Sequence, residues 1–317
     1  VKHIVRLLVK IARMYYEFGY KQDEIAKIEG ISKAKVSRLL DKAHKEGIVE
    51  IKVVYTLQSV DELADTLREY FDLKQVYVVP VTVDHPDAIR NDLGRAVSNF
   101  LGEIIKDGDV IGVSWGTTLH FVVNHLEEYP AENIKVVQLN GGITKNYLST
   151  QSTTIMERFV QAFHAVPYML PVPAIVDSVY LATALVADSN VKQILDLGRE
   201  ARIALLGIGR VSEESILVKA GYFKHKEYDE LLRNGSVGDI CSRYFRLDGT
   251  ITDEELNQRT VGITLEDLSA KEYTIGVANG EEKAEAIIGA LRGRYINTLF
   301  IDEVAAQRCL ELLDIKK

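Results

Sequence analysis

The sequence predicts a two-part α/β protein, a small winged helix-turn-helix module followed by a large domain built on a mainly parallel sheet. Three observations carry this. Residues Gln22 to Leu40 read as a short helix, a tight turn and a second helix. Beyond about residue 72, apolar strand patterns alternate with helical ones, the signature of repeated strand–helix units. Charge is divided the same way: residues 1–55 hold 12 Lys/Arg and 7 Asp/Glu, a net of +5, whereas residues 56–317 hold 26 and 39, a net of −13. The boundary is therefore placed at 1–55 and 56–317, a basic module on an acidic body.

Val1 to Phe18 is apolar at helical spacing, with Ile4, Leu7, Leu8, Ile11, Ala12, Tyr15 and Tyr16 on one broad face, and Gly19 closes it. A second helix spans about Gln22 to Glu29, with Ile25, Ala26 and Ile28 inward. Gly30 stands where a tight interhelical turn needs positive φ. Ser32 is placed to cap a third helix that turns Val36, Leu39, Leu40 and Ala43 inward. Its other face carries Lys33, Lys35, Ser37, Arg38 and Lys42, and with Ser32 these are the expected contacts to DNA phosphates and base edges. Gly47 ends the helix, and Ile48 to Val53 alternates as the strand of a small wing. One such module makes few contacts, so an operator-binding chain of this kind needs oligomerisation by the remainder.

In the large domain, Ser59-Val-Asp-Glu62 is a capping box for a helix through about Phe71. Strands follow at Val76–Val79, Asp109–Ser114, Ile134–Leu139, Ala201–Ile208, Tyr273–Ala278 and Ile296–Ile301. Helices follow from about Thr117, over Ser152–His164, Glu282–Leu291 and Val304–Leu313. A ligand site in such a sheet lies off the carboxyl ends of the strands. Gly112-Val-Ser-Trp-Gly-Thr-Thr118 leaves one strand end with small residues, exposed N–H groups and the hydroxyls of Ser114, Thr117 and Thr118, a pattern suited to an anion such as phosphate. Gln138-Leu-Asn-Gly-Gly-Ile-Thr144 brings Asn140, Gly141 and Gly142, with Lys145 just beyond. Asn279-Gly-Glu-Glu-Lys283 brings Asn279, Gly280 and Lys283, and the expected loop Gly238-Asp-Ile-Cys-Ser-Arg243 adds Asp239 and Arg243. Together these segments offer cations and donors for phosphate, and mixed donors and acceptors for sugar hydroxyls.

Composition excludes several classes. The hydrophobic fraction of 47% is that of an ordinary soluble chain, and no apolar run is long enough to cross a bilayer. The charged N-terminal stretch makes a poor signal peptide. Cys241 and Cys309 form neither a disulfide framework nor a metal-ligand spacing, so a reducing cytoplasm, no metal and no cofactor are expected. Gly112-Val-Ser114-Trp-Gly116 matches the nucleophile elbow of α/β hydrolases, but that chemistry needs a later histidine. The last histidine, His225, sits in a polar run with nothing to orient it.

The helix-turn-helix residues together with Gly-Val-Ser-Trp-Gly-Thr-Thr, Val-Gly-Asp-Ile-Cys-Ser-Arg and Gly-Glu-Glu-Lys-Ala-Glu-Ala-Ile resemble the SorC family of bacterial transcriptional regulators, over essentially the whole chain. The resemblance implies a sugar-phosphate-binding domain similar to the glucosamine-6-phosphate deaminase and ribose-5-phosphate isomerase folds, a phosphorylated sugar or polyol as effector, operator DNA as partner, and a homotetramer arranged as a dimer of dimers. It places the phosphate loop on Gly116, Thr117 and Thr118 and a late helix-start lysine on Lys283. One member of that family is expected to hold its sugar phosphate through a lysine imine in the segment matching Gln138–Gly142; Asn140 stands there and forms no imine, leaving Lys145 as the nearby amine. No catalysis is expected. The alternative is a sugar-phosphate isomerase or deaminase that retains activity, with Asp239 and Glu282 as its acid and base.

Overall fold

The computed structural model describes residues 2–49, 60–143, 151–213, 215–223 and 225–315. The chain divides into two compact units, Val1–Thr56 and Leu57–Lys317. Among the described residues the first holds three α-helices, α1 (Lys2–Ala12), α2 (Gln22–Glu29) and α3 (Lys33–Lys45). Leu8, Ile11, Ile25, Val36, Leu40 and Ala43 form its core. Gly30 adopts φ 64°, and the Ser32 hydroxyl accepts from the Lys35 amide at 3.2 Å, so the turn and the cap follow the sequence. The first helical face does not. Beyond Ala12 the chain widens into a π-helical turn, Arg13–Glu17, which breaks the 3.6-residue period and leaves Tyr15 and Tyr16 exposed, as is Ile4. Ile28 is exposed as well, because Ile25 and Ala26 suffice to close the short α2 against the core. The expected wing strand lies almost wholly outside the described residues, as does Ser59 of the capping box.

The second unit runs α4 (Asp61–Phe71), β1 (Gln75–Val79), α5 (Pro86–Ile104), β2 (Val110–Val113), α6 (Thr117–Val123), β3 (Lys135–Gln138), α7 (Ser152–Phe163) and β4 (Val166–Tyr168). It continues through α8 (Val179–Ala187), α9 (Ser189–Glu200), β5 (Ile203–Gly207), β6 (Gly209–Arg210), α10 (Ile216–Lys219), α11 (His225–Arg233), β7 (Ser236–Ile240) and β8 (Arg243–Arg246). It ends with α12 (Glu254–Arg259), α13 (Leu265–Ser269), β9 (Tyr273–Val277), a 3₁₀ turn at Glu281–Lys283, α14 (Ala284–Arg292), β10 (Thr298–Asp302) and α15 (Glu303–Leu312).

Seven strands form a parallel sheet in the order β1-β10-β9-β5-β2-β3-β4. Both faces are covered, so its strands are apolar on both sides. β5 sends Ala204 and Leu206 into a core with α4, α14 and α15, and Ile203 and Leu205 into a core with α5, α6 and α7. Each fully buried side chain of this size contributes about 1.5–3 kcal/mol. At the amino ends of β2 and β5, Arg202 grips both carboxylate oxygens of Asp109, and Glu272 adds a second ion pair. The chain leaves β2 toward β3 and β4, then returns to lay β5 on the other side of β2 and moves on to β9 and β10. The sheet therefore has its switch point between β2 and β5.

A second sheet, β6-β7-β8, is antiparallel. It corrects one expectation: Gly238–Arg243 is a hairpin rather than a loop, its turn made by Cys241 and Ser242, both at positive φ. Neither residue type advertises that conformation. Among the described residues no helix is long and apolar enough to cross a membrane.

Candidate effector cavity

A cavity of about 390 Å³ opens at the carboxyl ends of β2, β3, β5 and β9, over the switch point, and the β7–β8 hairpin closes one side. Ser114, Gly116, Thr117, Thr118, Asn140, Asp239, Asn279 and Lys283 line it, although they come from four segments far apart in sequence. Parallel strands bring their carboxyl ends to one edge of the sheet, which is what gathers them.

The strand–helix turn after β2 is held by the Ser114 amide, which donates to the Leu205 carbonyl at 3.1 Å across the switch point. The Ser114 hydroxyl accepts from the Gly207 amide at 3.4 Å. Gly116, at φ 139°, turns the chain into α6. The first-turn N–H groups of Thr117 and Thr118 have no carbonyl within the helix to bond. Among the described residues no histidine lines the cavity, so Ser114 has no imidazole base beside it.

Asn140 sits on the floor and is 2% exposed. It is fixed on three sides. The Gln138 side chain donates to its carbonyl at 2.8 Å, its own amide group donates to the Ser242 hydroxyl at 3.2 Å, and it bridges Gly262. Its Oδ1 is buried with no donor among the described residues. A buried acceptor left open costs about 1–3 kcal/mol, so it is a place where a ligand hydroxyl would be favoured. Gly141 and Gly142 do not line the cavity. Gly141 accepts from the Trp115 ring N–H at 2.9 Å, and a Cβ there would run into the Pro173 carbonyl. Gly280 also lies behind the lining, its amide held by Asp302 at 2.7 Å. Lys145 lies outside the described residues.

Lys283 donates to the Ile208 carbonyl at 2.9 Å, and Asp239 accepts from the Ser242 amide at 3.2 Å. Burial raises the Asp239 carboxyl to about 6, against the pull of the nearby Lys283 charge. Burial lowers the Lys283 ammonium to about 8, opposed by Asp239 and Glu282. At neutral pH both are charged. Burial also holds the Cys241 thiol up at about 12, so this lining cysteine is not a nucleophile.

Arg243 is a correction. It does not line the cavity. Its guanidinium, 5% exposed, donates to the carbonyls of Ile263 and Asn257 at 2.7 Å, Gly262 at 3.0 Å and Thr260 at 3.2 Å. That ties down the segment that pairs with Leu139–Gly141, so Arg243 braces the floor from behind.

Three cations that the sequence reading passed over also line the cavity: Arg90, Arg210 and Lys219. Arg90 reaches it from α5 and lies over the Phe121 ring at 5.3 Å. No local pattern marks a helical arginine so far from the strand ends. Arg210 follows Gly207 and Gly209 directly after β5, a strand-end signal that was present but unread. Arg210 is half-buried, and among the described residues its side chain makes no hydrogen bond or ion pair. With Lys283, four cations face two carboxylates, Asp239 and Glu282. A phosphate-sized anion is electrostatically favoured there.

In the first unit, Lys33, Lys35, Arg38 and Lys42 are exposed along α3, Ser32 is exposed at its cap and Ser37 is half-buried. Lys33 pairs with Asp23 at 3.0 Å and Lys42 with Glu46 at 3.5 Å, whereas Lys35 and Arg38 have no ionic partner among the described residues.

Residues 55–311 match the sugar-binding domain family. The chain is 37% identical over 302 residues to the deoxyribonucleoside regulator of Bacillus subtilis (strain 168), covering 95% of this chain and 96% of that one. It is 31% identical to the transcriptional regulator LsrR of Enterobacter sp. (strain 638), covering 96% and 93%. The structure of the full-length sorbitol operon regulator SorC from Klebsiella pneumoniae superposes with a TM-score of 0.74 at 29% identity, covering 96% of this chain and 98% of that one.

Proposed function

Because the chain belongs to the SorC family of transcriptional regulators, we propose that it is a cytoplasmic DNA-binding regulator of a carbohydrate-catabolism operon, whose operator affinity is set by a phosphorylated sugar or polyol held in the cavity. Residues 1–55 serve as the winged helix-turn-helix and residues 56–317 bind the effector and oligomerise, as a tetramer made of two dimers. The exposed face of α3, with Ser32, Lys33, Lys35, Ser37, Arg38 and Lys42, meets the DNA.

The observation that supports this most directly is the pairing of two features in one cavity: an excess of cations with a guanidinium at Arg210, and a buried acceptor at Asn140 Oδ1, neither of which has a partner among the described residues. The first suits a phosphate and the second a hydroxyl. In this reading Arg210, Thr117, Thr118 and Lys283 hold the phosphate, while Asn140 and Asp239 hold hydroxyls. The ligand acts on DNA binding only through its differential affinity for DNA-competent and incompetent arrangements of the oligomer.

A thermal-shift panel of matched phosphorylated and unphosphorylated sugars tests it. A saturating ligand at a hundred times its Kd adds about 2.7 kcal/mol, or roughly 5–10 °C for a unit of this size. Shifts confined to phosphorylated members, and release of operator DNA by the same members, are expected. Absence of a shift with every phosphorylated sugar and polyol would defeat the proposal.

One observation favours a second reading, an isomerase or deaminase. Asp239 and Lys283 are charge-coupled in the cavity, with the carboxyl raised to about 6 and the ammonium lowered to about 8, near neutrality where acid–base groups work. Turnover of ribose 5-phosphate or glucosamine 6-phosphate, lost in Asp239→Asn, would establish it.

A further inference from the structure

Helix α8 has the sequence Val-Tyr-Leu-Ala-Thr-Ala-Leu-Val-Ala, without a single charge, yet Ala182 is its one buried residue. Its inner side, Ala182, Leu185 and Val186, leans on a small cluster with Leu170, Val172 and Val191. The other side is open: Tyr180 is 84% exposed, Leu181 is 42% exposed, and Ala184 and Ala187 are exposed beside them. Thr183 already spends its hydroxyl on the Val179 carbonyl at 2.9 Å. A helix that is apolar all round is a buried helix, so something covers this side in the working protein.

We propose that α8 is the centre of a two-fold contact between two copies of this chain. This deepens the oligomeric part of the proposed function and is independent of the effector's identity. Two arguments select a second copy. Residues 56–317 carry a net charge of −13, so two copies repel each other except where the surface is neutral, and α8 is neutral along its whole length. Near a two-fold axis each residue also faces its own image, which an uncharged apolar stripe tolerates and a charged one does not. The neighbouring sheet edge is a poorer contact, because β4 carries Pro167, which has no N–H to offer a partner strand.

The area is of the right order. A tyrosine buries about 150–250 Å², roughly a fifth or more of the ~800 Å² that each partner gives to a standard interface. Leu181 and Met169, the latter 36% exposed next to the cluster residue Leu170, extend the patch. An exposed tyrosine amid small residues is the kind of anchor that dominates such contacts.

Light scattering coupled to size exclusion on the full chain tests this. The wild type should run at a multiple of 35.5 kDa, and Tyr180→Asp and Leu181→Asp should each halve that mass while the thermal shift with a phosphorylated sugar persists. A wild-type monomer, or variants that keep the wild-type mass, would overturn the proposal. Should either variant precipitate, Ala184→Cys decides the matter, since Cys241 and Cys309 are buried. A covalent dimer with a short bis-maleimide is expected, and no cross-link beyond the wild-type background overturns the contact. Loss of the sugar-phosphate shift in the wild type would count against the effector reading and leave the interface standing.

Discussion

Replacing Arg243 with alanine removes the donors from three buried backbone carbonyls, those of Thr260, Gly262 and Ile263, and from the Asn257 side chain, while the Asn257 carbonyl keeps the Thr260 amide at 3.2 Å. Each stranded acceptor costs about 1–3 kcal/mol. Burying a guanidinium with no carboxylate partner costs several kcal/mol in the wild type, and the variant recovers that. The balance leaves a loss of roughly 3–5 kcal/mol, which at about 2–4 °C per kcal/mol for a unit of this size lowers the melting point by roughly 10 °C. Circular-dichroism melts of the wild type, Arg243→Ala and Arg243→Lys measure it. Lysine keeps the charge but presents three donors from one atom instead of a planar fork, so it should recover only part of the loss. A different pattern would refute the reasoning: an Arg243→Ala melt within about 2 °C of wild type together with a lost sugar-phosphate shift. That result would make Arg243 a ligand contact, as its sequence position first suggested.

Arg210→Ala should leave the unliganded melt unchanged, because the side chain bonds nothing among the described residues, and should weaken a phosphorylated ligand by roughly 10–100-fold, the worth of one or two charge-assisted hydrogen bonds; isothermal titration reads this, and unaltered affinity would exclude Arg210 from the site. Lys283, with its ammonium lowered to about 8, sets a pH signature. As pH rises from 7 to 9.5 it deprotonates and the cavity loses a cation, so affinity for a phosphate, already a dianion, should fall about tenfold. Stability should move the other way, because a lysine with a depressed folded pKa penalises the fold as pH falls through that value, and Lys271, also lowered to about 8 by burial, adds to the trend. Equal affinities at the two pH values, or the same decline in Lys283→Gln, would contradict this. Arg38→Ala should reduce the slope of log affinity against log salt for operator DNA by about 0.9; fluorescence anisotropy at several salt concentrations tests it, and an unchanged slope would remove Arg38 from the phosphate contacts.

Much of the parallel sheet was legible because a strand covered on both faces has to be apolar throughout, and segments such as Ile203–Gly207 announce that. The turn at Gly30 and the cap at Ser32 were legible because each is a local device with one physical reason. What escaped was structure whose cause is distant. The longest described helix, α5, is an exception, since Ile89, Leu93, Val97, Leu101 and Ile104 recur at helical spacing and that signal went unread; only its close packing through Gly94 and Gly102, where a side chain would strike His125 and Tyr129, has a distant cause. The β7–β8 hairpin turns on Cys241 and Ser242, which the fold holds in a conformation their sequence does not request. In the cavity, residues on strand-end turns could be found by pattern, but Arg90 could not. Arg243 was expected in the cavity and Arg210 was passed over because a sequence records that an arginine is present and not what its guanidinium touches.

The cavity's construction bears on how a small ligand could control an operator. A sugar phosphate touching Thr117, Asn140, Arg210 and Lys283 would link four strand ends across the switch point and the hairpin beside it, so any arrangement that separates them would lose contacts. To change operator affinity a hundredfold, the ligand must prefer one arrangement of the oligomer by about 2.7 kcal/mol. That is the size of one or two hydrogen bonds to a charged group. The regulatory signal therefore need not be spread over the whole site: a single contact made in one arrangement and missed in the other is enough. Arg210 is the side chain best suited to be that contact, because no described residue gives its guanidinium anything to hold. Thr117 and Asn140 are fixed in the turns that carry them, and their share of the binding would tend to be uniform across arrangements, adding affinity without adding control.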